Sequence, residues 1–281
     1  DGDENVAIGY LALEDYEDGD GNGHNTAVGA RSQREATTGE FNTSLGSLSM
    51  GVGVTTSDYN VAIGYQAGTA LTAGEKNTLI GSLAGDALTT GHFNVAVGYL
   101  ALSTEDAHGT NVAIGTAALQ TLNAGADGHN VAVGHDAGKL MTTGVQNTIV
   151  GSNAGDAITT GTYNTAIGYL ALSAEDAHGR NTAIGYGTLK VQDAGADGFN
   201  TAVGMEAGLA VSTGKQNTLL GANAGDALTT GDNNIIIGHT AAAAGVGVDN
   251  TTVIGTTATT SALVHGLKQP VIAASANVAA A

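Results

Sequence analysis

Between residues 60 and 98 the chain reads NVAIGYQAGTALTAGEKNTLIGSLAGDALTTGHFNVAVG, in which one phrase, in essence Asn-(Thr/Val)-Ala-(Ile/Val)-Gly, starts at Asn60, Asn77 and Asn94. Working outward, it starts again at Asn5, Asn25, Asn42, Asn111, Asn130, Asn147, Asn164, Asn181, Asn200, Asn217 and Asn234, and in degenerate form at Thr251, fifteen copies at steps of 17 to 20 residues. That step is too short for helical-pair repeats or propeller blades. It suits one coil of a solenoid: 17 residues at ~3.3 Å each make a circuit of ~56 Å, room for two short strands and two turns. Stacked ~4.8 Å apart, the coils would form a rod ~70 Å long. The expected fold is all-β, a parallel β-solenoid of about fifteen coils over residues 1–255. Residues 256–281 lack the phrase and hold the only proline, Pro270, so they are expected to form a cap or connector.

Each place in the phrase has a physical role. Asn tolerates left-handed backbone and its amide both donates and accepts, so a stacked Asn ladder is expected. The fifth residue is Gly in every copy, as a strand end with positive φ or close backbone approach demands. Alternation puts the second and fourth residues on one face and the third on the other. The fourth is always Ile, Val or Leu and is assigned to the interior, with the Val/Thr of the second place beside it. The third is Ala in nine copies, Ser44 in one, and Leu79, Ile149, Leu219, Ile236 or Val253 elsewhere, and never charged. Placed outside, this small apolar column implies a covering partner, with a second copy of the chain as the economical candidate. The alternative reverses the faces and puts the column inside.

A longer period lies over the first: residues 94–163 align with residues 164–233 without gaps, YLALSTEDAHG answering YLALSAEDAHG. Coils longer than 17 residues must place the excess in loops, expected to protrude at residues 14–24, 51–59, 122–129 and 192–199. These loops nominate Asp127, His129, Asp197 and Phe199 as ligand-binding residues.

Composition excludes several classes. The chain of 281 residues carries 26 Asp+Glu against 8 Lys+Arg, a net charge of −18, which leaves no basic stripe for nucleic acid. There is no Cys and hence no disulfide, thiolate nucleophile or thiolate-bound zinc. Aromatics are only 4%, which suits a thin core between close backbones. The small-residue stretch at 241–248 falls short of the ~20 apolar residues of a membrane span, so no membrane insertion is expected in this segment.

The phrases NVAIG, NTAIG and NTAVG resemble the head repeats of YadA-type trimeric autotransporter adhesins, and TTGTYNTAIGYLA at residues 159–171 is similar to repeats of bacteriophage tail fibres. The resemblance covers about nine-tenths of the chain and rests on an iterated motif. It implies a left-handed β-roll, a homotrimer, and attachment to a cell-surface glycan or protein receptor from an extracellular, cell-surface or virion fibre. The coils here are longer than the adhesin repeats, and no neck, stalk or membrane anchor is legible. Adhesin head and tail fibre therefore both stay open.

Asp18, Asp20 and Asn22 in DGDGNG match the first half of a calcium loop, but Gly29 stands where the bidentate acid should fall, so calcium there needs other ligands such as Asp15 or Glu17. Glu105-Asp106 with His108, and Glu175-Asp176 with His178, are read as exposed turns repeated by duplication, able to bind a divalent cation if neighbouring chains add ligands. Tyr10, Tyr65, Tyr99, Tyr169 and Tyr186 follow the phrase Gly, an aromatic column attributed to packing over the turn and secondarily to recognition. No catalytic motif appears, and polar residues that repeat every coil offer no unique constellation, so no enzyme activity is expected. A self-assembling surface filament or matrix scaffold is the alternative. Thr columns at residues 26/43 and 165/182/201/218 raise ice binding, against which stands their assignment to the interior.

Overall fold

The computed structural model describes residues 4–17, 23–256 and 258. Among them lie fifteen three-residue strands, β1 (Val6–Ile8) to β15 (Thr252–Ile254), one per phrase. All pair parallel in one sheet whose order is the order of the chain. The register never slips: Ala113, Ala132, Ile149, Ala166 and Ala183 follow one another in a single row. The expected β-solenoid is the observed one. The calcium loop residues Asp18, Asp20 and Asn22, and the segment after residue 256 save for Ala258, lie outside the described residues.

Two details differ from expectation. Each coil has one strand, not two, because the return path turns corners too often to extend. In the coil from Asn94, Leu100 (φ 57°) and Leu102 (φ 53°) are left-handed, as is Phe93 (φ 59°) just before the phrase. Such corners cost ~1 kcal/mol or more each for a side chain with a Cβ. They persist because bonds to the next coil hold them, as Leu102 N–H donates to Ala118 O (3.0 Å) and Gly85 N–H to Ala101 O (3.0 Å).

The second difference is the sign of the strand faces. The third residue points inward: Ala27, Ala62, Leu79, Ala96, Ala113, Ala132, Ile149, Ala166, Ala183, Ala202, Leu219 and Ile236 are fully buried. The second and fourth residues, assigned to the interior from sequence, face out. The reason is volume. A narrow coil is filled from several sides, by Ala at the eighth place (Ala101, Ala137, Ala171) and by Leu, Ile or Met at the ninth or twelfth (Leu102, Met141, Ile158). Ala in the strand leaves them room. Where the strand carries Leu79 instead, the flanking ninth places are Gly: a Cβ on Gly68 would lie 2.7 Å from Leu79 Cδ1, and one on Gly85 2.8 Å from Cδ2. Leu219 is matched in the same way by Gly208 and Gly225.

The Asn ladder is present as expected. Asn147 N–H donates to Asn130 Oδ1 (3.0 Å), Asn164 N–H to Asn147 Oδ1 (2.9 Å), and the Asn147 amide also donates to Gly161 O (2.9 Å) in its own coil. Every such Asn from Asn25 to Asn234 is buried, so the ladder satisfies polar groups that water cannot reach.

Candidate interaction face and acidic turns

Because the middle strand residue is internal, the outer sheet surface is built from the second and fourth places, continued by the sixth just past the Gly. No Asp, Glu, Lys or Arg occupies any of these three places in any of the fifteen coils. Ile8 (60%), Leu45 (47%), Leu220 (46%) and Ile254 (48%) are large apolar side chains exposed on it. The tyrosines at the sixth place are exposed as well, Tyr65 and Tyr99 at 51% each, and Tyr169 stacks on Tyr186 at 5.7 Å. They do not lie buried over the turn. The Thr column also faces outward, with Thr148, Thr201 and Thr218 exposed and Thr165 and Thr182 half-buried, which overturns the interior assignment made from sequence.

A second column was not anticipated. The residue before each Asn is left-handed and projects from the rod edge, with His24 on Phe41 (4.8 Å between ring centroids) and Phe41 on Tyr59 (5.0 Å, planes 1° apart). Lys76 then lies over both Tyr59 (5.9 Å) and Phe93 (5.4 Å), and Arg180 over Tyr163 (5.3 Å) and Phe199 (5.5 Å). The recurrence of aromatic and cationic residues before Asn was the available signal. Rings stacked on one another or capped by a cation tie successive coils together.

Of the loop residues nominated from sequence, His129 and Phe199 belong to that edge column. Asp127 and Asp197 brace their loops against the preceding coil: Asp127 Oδ1 accepts from Gly109 N–H (3.0 Å) and Asp197 Oδ1 from Gly179 N–H (3.1 Å). Asp197 Oδ2 also pairs with Arg180 Nε at 2.8 Å.

The duplicated acidic turns differ from the exposed turns expected. Asp106 and Asp176 are exposed, but Glu105 and Glu175 are fully buried. Counted from Asn, each Glu stands at the twelfth place, where other coils carry Leu71, Leu88, Met141 or Ile158 in the core. Glu105 accepts from His108 N–H and Ala124 N–H (3.2 Å each); Glu175 accepts from His178 N–H (3.2 Å) and, at a longer 3.4 Å, from the Asn181 amide. Burial pushes both carboxyls up, Glu175 to about 7, with Asp193, Asp176 and Asp197 adding to the effect. Donor atoms of Glu175, Asp176, His178 and Asp193 fall within 4.8 Å of one another, as do those of Glu105, Asp106 and His108. Both oxygens of each Glu already accept from N–H donors, whereas Nδ1 of His108 and of His178 is buried without a hydrogen bond.

No family model, no curated protein and no solved structure matches this chain. Among the described residues no helix is long and apolar enough to cross a membrane.

Proposed function

We propose that this chain is a non-catalytic structural and receptor-binding segment of a homotrimeric, extracellular attachment fibre, an adhesin head or a tail fibre, whose copies meet through the outer strand face. The observation that carries the reading is that face: an uncharged strip with Ile, Val or Leu at the fourth place of every coil, in a chain with net charge −18. A strip ~70 Å long and ~10 Å wide offers ~700 Å² per copy, close to the ~800 Å² per partner of a standard interface. An unbroken Ile, Val or Leu column of that length, bordered by Thr in nine coils, suits association between copies, while acids on the remaining surface keep the rods from clumping. The number three comes from the resemblance to adhesin and tail-fibre repeats.

The test is light scattering combined with circular dichroism. The wild type is expected as discrete trimers across a dilution series, and Ile114→Lys with Ile184→Lys as monomers that keep the β signature. Wild-type monomers would sink the reading; growth with concentration would favour the filament or matrix scaffold. Binding of the trimer to arrayed glycans and surface proteins then tests the receptor role.

The outward Thr column favours one second reading, ice binding, in which five successive coils present Thr148, Thr165, Thr182, Thr201 and Thr218 to solvent. It requires the face to be free. Thermal hysteresis in a monomeric preparation, abolished by Thr182→Lys, would support it, and its absence would remove it.

A further inference from the structure

We propose that Glu105 and Glu175 are pH-sensitive latches: as neutral carboxyls they close the turns at residues 103–110 and 173–180 onto the solenoid interior, and on ionisation they release them. The geometry is that of a carboxyl standing in a leucine's place. Both side chains are fully buried in the core column, and the preceding coil offers Leu88 to Glu105 and Ile158 to Glu175 at the same place, neither able to stabilise charge. The next coil offers Leu122 and Gln192.

The N–H donors on each Glu favour the charged form, but burial outweighs them, and the charged and titratable groups nearby add little to them. Glu105 faces Asp106 and His108 of its own turn, with His108 Nδ1 3.5 Å away, and Asn123 lies in the coil beyond. Glu175 faces Asp176 and His178, Nδ1 at 3.7 Å, and Asp193 and Asp197 of the next coil; Arg180, the nearest guanidinium in sequence, is engaged by Asp197. A cluster so rich in carboxylates and poor in fixed cations holds a proton more tightly in the folded chain than in the unfolded one. Burial moves both groups in that direction, Glu175 to about 7. Stability is then full below the ordinary carboxyl range and is lost as pH rises through the folded value.

The experiment is thermal unfolding of the whole chain from about pH 5 to about pH 8, beside Glu105→Gln/Glu175→Gln, with hydrogen exchange on peptides covering the two turns, corrected for the intrinsic pH effect. Between the ordinary and the folded value, each latch weakens the folding equilibrium about tenfold per pH unit. The wild-type midpoint is therefore expected to fall with rising pH and the two turns to lose protection first, whereas the Gln variant, which mimics the protonated state, stays level and protected. A level wild type, or a fall as steep in the Gln variant as in the wild type, overturns the proposal. So does a midpoint raised at high pH by added calcium or zinc and no longer raised in the variant, which would make a cation the partner. Should the variant not fold, infrared titration of the wild type decides: a protonated-carboxyl band persisting to near-neutral pH supports the latch, and its absence there overturns it.

Discussion

At Gly134 the backbone φ is +143°, and a Cβ there would lie 2.5 Å from the carbonyl oxygen of Gly151 in the next coil. Two penalties coincide, the conformation and the clash with backbone that cannot move without breaking the stack. Gly134→Val is expected to cost at least ~1–3 kcal/mol, read as a lower denaturation midpoint. Wild-type stability in that variant would contradict the geometry. Asp86 and Asp156 are a milder case, half-buried, each with one carboxylate oxygen lacking a hydrogen bond, and raised by burial. Their folded forms favour the proton, so their contribution is lost as pH rises above the ordinary carboxylate range. Asp86→Asn with Asp156→Asn should unfold at a higher temperature than wild type at neutral pH, and the two curves should converge in acid. A variant less stable at neutral pH would argue that these carboxylates are needed as charges.

Within a coil the controlling quantity is the shared volume of strand and return path. Leu79→Ala should cost ~2–5 kcal/mol by opening a cavity, and Gly85→Leu alone ~1–3 kcal/mol by overfilling, since the three atoms nearest its Cβ would all belong to Leu79. Together they recreate the arrangement of Ala96 with Leu102 in the next coil, where Leu102 already accepts φ 53°. The double variant should therefore recover much of the loss, and strictly additive costs in a double-mutant cycle would contradict this packing. Ala132→Glu with Ala166→Glu would bury two unpartnered carboxylates in the core. Those chains should fail to form the solenoid, whereas a folded but dissociated protein would restore the outward assignment made from sequence.

Along the whole molecule the same repetition makes a strip of outer face that no single coil possesses. Because that face carries no formal charge while the chain carries −18, the proposed association would be opposed by general repulsion and driven by apolar contact. Raising ionic strength screens the repulsion and leaves the contact intact, so the proposed trimers should persist to lower protein concentration in salt than without it. Dissociation by salt, measured by sedimentation, would mean that ion pairs hold the copies together and that the apolar strip is not the interface.

The sequence by itself determined the coil length, the parallel stacking in chain order, the Asn ladder and the Gly strand ends, because each depends on local chemistry repeated at a fixed interval. It left the faces open: a period of two reads the same from either side, and Ala in NTAIG looks as suitable for a covered exterior as for a crowded interior. The matching of Leu79 by Gly68 and Gly85 across coils was the available signal, but it becomes meaningful only once the return path is known to pass beneath the strand. Glu105 and Glu175 were misjudged for a related reason. Beside Asp106 and Asp176 they read as surface acid, and only the position of the twelfth residue at an inner corner, where Leu88 and Ile158 also stand, buries them. Which side of a strand is inside, and which acid is dry, are properties of the closed coil, since burial is set by what the return path places opposite a residue and not by the residue or its neighbours in the chain.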